Sequence, residues 1–168
     1  SDELPAGVQM FCYDAPVTEM VIPDFGPTTG GINISIVGAN FDLTPRPADA
    51  HFGSDNDYVG KTAATATYVS DTAVRLVLPP GIGISHRVAL TILGYEREVT
   101  NRFSYLAPRI TSLFSSSVNA PTLSQGQIAT IIGDNFGTTN PLSATARFGG
   151  TACESSSWDS DTSVRCGT

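Results

Sequence analysis

The sequence predicts an all-β protein of tandem β-sandwiches, the second copy incomplete, and three features carry that expectation. Short apolar runs end at turn residues about every ten positions, apolar and polar residues alternate within the runs, and one part of the chain is repeated in another. Ile32, Ile34 and Ile36 alternate with Asn33 and Ser35, a period of two that sends one face into a core. The run from Ala73 to Leu78 stops at Pro79-Pro80-Gly81, and Arg87 to Leu93 supplies the next strand. No window places apolar residues at helical spacing over three turns behind a cap, so no long helix is expected.

The repeat is read from ordered matches. Phe11-x-Tyr13-x-Ala15-Pro16 returns as Phe103-x-Tyr105-x-Ala107-Pro108, and Ile36-Val37-Gly38-Ala39-Asn40-Phe41 as Ile131-Ile132-Gly133-Asp134-Asn135-Phe136. His51-Phe52-Gly53 is followed later by Arg147-Phe148-Gly149, and Ser70-Asp71-Thr72-Ala73-Val74-Arg75-Leu76 by Ser160-Asp161-Thr162-Ser163-Val164-Arg165-Cys166. A period of about 90 residues suits one small sandwich. Its phase predicts a closing strand of a preceding repeat over 1–15, a complete unit over 16–106 and a partial one over 107–168. The partial unit lacks counterparts of residues 77–106. It should therefore carry an open apolar edge, to be covered by further chain or by a strand from a neighbour.

These marks, Gly-x-Asn-Phe, Phe-Gly and Ser-Asp-Thr-x-Val-Arg in order and twice, resemble the IPT/TIG domain (immunoglobulin-like, plexin, transcription factor). The resemblance covers nearly the whole chain. It implies an immunoglobulin-like sandwich of the kind that cell-surface and extracellular proteins use in tandem, and no chemistry by itself. Apart from the resemblance, Gly38 and Gly133 read as sharp turns made with the following Asn, and Tyr68 and Trp158 as plugs between the sheets.

The three cysteines are odd in number, so at least one is unpaired within this window. Cys153 and Cys166 are the expected disulfide, because the first unit replaces both together with Ala63 and Leu76. Closing that loop should stabilise by about 3 kcal/mol and points to an oxidising compartment. Free core thiols are one rival. A zinc pair is another, but it would need two more soft ligands, and both histidines lie in the other unit. Cys12 pairs with something outside the window or stays a small buried side chain. Asn33-Ile34-Ser35 is an N-glycosylation sequon whose asparagine faces away from Ile32, Ile34 and Ile36. His51 and His86 read as surface side chains, and Asp55-Asn56-Asp57 as a polar loop tip that lacks the remainder of a calcium loop.

A net charge of −7 opposes nucleic acid and anionic lipid, and with it the DNA-binding use of this domain type. Charged residues make up 15% and apolar residues 40%, enough to build a core, while no apolar run approaches membrane-spanning length, so no direct membrane insertion is expected of this segment. No nucleophile elbow, phosphate loop or zinc-protease motif is present. The expectation is a protein that is not an enzyme, without catalytic, cofactor-binding or metal residues. It would be a structural or adhesive repeat module of an extracellular or cell-surface protein, possible in a surface filament. Its partners would be other protein chains or neighbouring repeats. The alternative is a ligand- or glycan-binding accessory region of a receptor or secreted carbohydrate-active enzyme.

Overall fold

A computed structural model describes residues 13–54, 57–115, 126–138, 145–148 and 150–167, and among these every regular element is a strand. The first unit contains β1 (Val17–Ile22), β2 (Phe25–Gly26), β3 (Asn33–Ala39), β4 (Ala48–Ser54), β5 (Asp57–Ser70), β6 (Ala73–Val77), β7 (Arg87–Ile92), β8 (Tyr95–Glu98) and β9 (Ser104–Tyr105). Seven of them follow one hydrogen-bonded order, β1-β3-β6-β5-β4-β7-β8, all antiparallel. The 14-residue β5 is the corner. Its early residues pair with β4 and its last ones with β6, so that β1-β3-β6 and β4-β7-β8 form opposing layers.

The alternation read in the sequence is what fills the space between those layers. Ile34, Ile36, Val74 and Leu76 from one layer and Ala50, Phe52, Val88 and Leu90 from the other belong to a single buried cluster. Phe103, just ahead of β9, seals the far end. Its ring meets Phe52 at 5.6 Å and Tyr105 at 5.3 Å, both edge to face, a geometry that matches ring edges to ring faces. β9 then pairs in parallel with β2, tying the end of the unit to its beginning.

The second unit contains β10 (Arg109–Ser115), β11 (Ile128–Asp134), β12 (Arg147–Phe148), β13 (Thr151–Ala152), β14 (Ser155–Ser160) and β15 (Ser163–Gly167). Its sheet order, β10-β11-β15-β14, repeats β1-β3-β6-β5. Even the irregularities are copied. The register slips between Ile110 and Ser112 as it does between Thr18 and Met20, and between Trp158 and Ser160 as it does between Tyr68 and Ser70.

The Gly-x-Asn-Phe corner works differently from the sequence expectation. Gly38 and Gly133 lie inside strands, and a side chain there would collide with the carbonyl of Val17 or Arg109 and with the ring of Phe41 or Phe136. Glycine is needed for close approach, while the turn falls to Asn40 and Asn135, each at φ 61°.

Candidate functional site at the joint between the units

Each Gly-x-Asn-Phe corner is locked to the Ser-Asp-Thr turn. The amides of Gly38 and Phe41 donate to the carbonyls of Thr72 and Asp71 at 2.9 Å. Gly133 and Phe136 donate to Thr162 and Asp161 at 3.0 and 2.9 Å. The aspartate side chain adds a second bond, accepting the amide of Asp42 in the first unit (3.1 Å) and of Gly137 in the second (2.9 Å). An asparagine and an aspartate thus stand together at one pole of each unit, held by backbone rather than by side-chain chance.

In the second unit this pair receives a loop of the first. Thr28, only 2% exposed, donates its amide to Asn135 Oδ1 at 3.3 Å, and its hydroxyl donates to the Asp161 carboxylate. The loop carrying it is itself fixed, because the Thr28 carbonyl accepts the amide of Gly81, Gly30 N–H donates to Pro27 O, and β2 pairs with β9 immediately before it. A buried hydroxyl facing a carboxylate is a charge-assisted bond, stronger than a neutral one. Sequence reasoning missed Thr28. The available signal was Pro27-Thr28 returning as Pro121-Thr122, together with polar Asn and Asp at fixed repeat positions.

The corresponding pole of the first unit is an open groove of about 700 Å³, lined among others by Asn40, Asp71, Asp42, Leu43, Arg46 and Leu93. Asp42 holds φ 91° where the second unit has Gly137 at 97°. Its carboxylate offsets that strain by accepting the amides of Leu43 (2.6 Å) and Thr44 (3.3 Å) and the Arg46 guanidinium (2.7 Å). The Arg46 hydrogen bond, followed by that of Leu43 N–H, holds the Asp42 carboxyl below its ordinary range.

Cys153 and Cys166 are joined in the structure, with Cα atoms 5.5 Å apart. Cys166 is fully buried beside Ile131 and Val164, so the bridge ties the start of the β14–β15 hairpin to the small core. Asn33 opens β3 with its side chain exposed. Cys12 and the Asp55-Asn56 pair lie outside the described residues. Both histidines are partly exposed: His51 alternates in β4 with buried Ala50 and Phe52 and has Nδ1 covered, while His86 Nε2 lies 2.8 Å from Ile82 O and its ring meets Tyr105 edge to face. Tyr68 is a clamp, its hydroxyl donating to Asp42 O at 2.8 Å, and Trp158 packs on the second core half-covered. Ile110, Ile131, Phe136, Ala146 and Val164 line an apolar groove of about 290 Å³ on the second unit. Among the described residues no three His, Cys, Asp or Glu side chains are grouped to hold a metal, and no helix is long and apolar enough to cross a membrane.

A family model described as the IPT/TIG domain matches residues 16–105 and again 108–168. No curated protein matches the chain. Among solved structures, the full extracellular region of plexin A4, domains 1 to 8, is 16% identical over 90% of this chain and 15% of that one, with a TM-score of 0.41. Domains 1 to 10 of the same region give 12% identity, 93% and 13% coverage and 0.42. SGBP-B from a complex xyloglucan utilization locus in Bacteroides uniformis gives 17%, 92% and 42%, and 0.39. The chain spans less than half the length of each of these three.

Proposed function

Since the chain belongs to the IPT/TIG domain family, we propose that it is a non-catalytic structural or adhesive repeat module of an extracellular or cell-surface protein. The carrying observation is the joint: Thr28 of one unit buried against Asn135 and Asp161 of the next, which gives successive sandwiches a defined mutual orientation. Oriented sandwiches project loops and sheet edges at a set distance, and such edges and loops make contacts with protein chains. The bond between Cys153 and Cys166 supports an oxidising location.

An antibody against the folded chain tests the reading. It should label intact, unpermeabilised source cells or their extracellular fraction, and the full chain should leave a glycan array at background. Labelling only after permeabilisation would contradict the location. A saturable signal on the array would favour a glycan-binding accessory role over adhesion.

A further inference from the structure

The first unit presents the same polar pair that holds Thr28 on the second. Asn40 and Asn135 share φ 61°, Phe41 and Phe136 share the amide bond to the aspartate carbonyl, and Asp71 and Asp161 each cap the amide that follows the corner phenylalanine. On the second unit this pair is occupied by a hydroxyl-bearing loop. On the first it lines the groove with Asp42, Leu43, Arg46 and Leu93.

What arrives at that groove is indicated by the chain just before it. β9 pairs with β2, and Leu106 N–H donates to Gly26 O at 2.8 Å, so β9 brings the loop at 27–30 alongside the linker that follows it. The linker after β9 reads Leu106-Ala107-Pro108, and the stretch Phe103-x-Tyr105-x-Ala107-Pro108 that leads into the second unit is written again as Phe11-x-Tyr13-x-Ala15-Pro16 leading into the first. The same sequence pattern, ending in Ala-Pro, thus stands ahead of both Asn/Asp poles.

We propose that the Asn40/Asp71 groove is a docking seat for a preceding IPT/TIG unit of the same polypeptide, taking the threonine or serine hydroxyl of that unit's loop as Asn135 and Asp161 take Thr28. The seat makes the joint a repeated, directional contact, so that units add head to tail with one geometry. Leu43 and Leu93, both exposed at its rim, supply apolar area for the incoming loop. The inference rests on the joint and not on adhesion or location.

A graft tests it. A copy of residues 16–102 is joined ahead of Phe11, so that Phe11 to Pro16 serves as its closing strand and the chain from Phe11 onward is unchanged. Spin labels on neighbouring units then report both joints by pulsed electron resonance. The expected result is a distance distribution at the grafted joint as narrow as at the resident one. Thr28→Val in the grafted copy should broaden the grafted joint about twofold and leave the resident joint alone, while Thr28→Val in the original copy does the reverse. As a second readout, Thr28→Cys in the graft should cross-link to Asn40→Cys as readily as Thr28→Cys of the original copy does to Asn135→Cys. A broad grafted joint, indifference to Thr28→Val, cross-linking only between separate molecules, or no separate calorimetric transition for the graft would each overturn the proposal. None of these outcomes bears on cell-surface labelling, so the two readings fail independently.

Discussion

Val21 and Leu113 hold equivalent places on the first strand of their units, yet Val21 is 1% exposed and Leu113 is 47% exposed. One turn of register earlier, Thr18 is buried with its hydroxyl donating to Glu98 O at 2.8 Å, whereas its counterpart Ile110 is 65% exposed. The strands beneath are alike in order, pairing and bulges. The difference is cover: β7 and β8 close the first sandwich, and among the described residues no strand stands to the second unit as β7 and β8 stand to the first. Local pattern therefore builds the sheet, while burial, at about 25 cal/mol per Å² of apolar surface, decides how firmly it is held.

The largest expected break in the comparison comes from equivalent core truncations. Ile36→Ala, in a fully buried position, should cost about 2–5 kcal/mol, and Ile131→Ala, beside the open groove, less than half as much. Urea unfolding separates them, because the single tryptophan, Trp158, reports on the second unit alone. Cys153→Ser with Cys166→Ser comes next. It should lower the stability of the second unit by about 3 kcal/mol and leave the first transition in place, since the bridge constrains a loop wholly inside the second unit.

A smaller effect concerns alkaline pH. Burial pushes the Tyr105 phenol up to about 12, and its hydroxyl donates to Pro79 O at 2.9 Å. The folded state holds this proton more tightly than the unfolded chain, so the contribution is complete below about pH 10 and is lost as pH rises towards 12. Tyr105→Phe should flatten that limb of the first unit's stability profile and cost about 1 kcal/mol at neutral pH for the lost hydrogen bond. The smallest effect is at Arg165, whose guanidinium makes two 2.6 Å bonds to the exposed Asp159 carboxylate. Arg165→Ala should leave the thermal midpoint unchanged, because exposed ion pairs are screened.

Much of the architecture was legible because it rests on local pattern. The alternation at Ile34 and Ile36 located β3, the Pro79-Pro80-Gly81 break marked the end of a strand, and the repeat marks predicted a shared plan for both units. What escaped was set by three-dimensional proximity. Gly38 looked like a turn residue, but it is small because the backbone of β1 and the Phe41 ring crowd it. Thr28 escaped because its sequence signal, the repeated Pro-Thr pair, does not announce a carboxylate 133 residues further on.

Hydrogen exchange on the intact chain tests the central claim most directly, because the two corners make the same bonds: Gly38 to Thr72 and Phe41 to Asp71 in one unit, Gly133 to Thr162 and Phe136 to Asp161 in the other. With bond geometry matched, only the stability of the surrounding sandwich separates them. The amides of Gly38 and Phe41 should exchange about tenfold or more slowly than those of Gly133 and Phe136. Equal rates, or slower exchange in the second unit, would contradict the account.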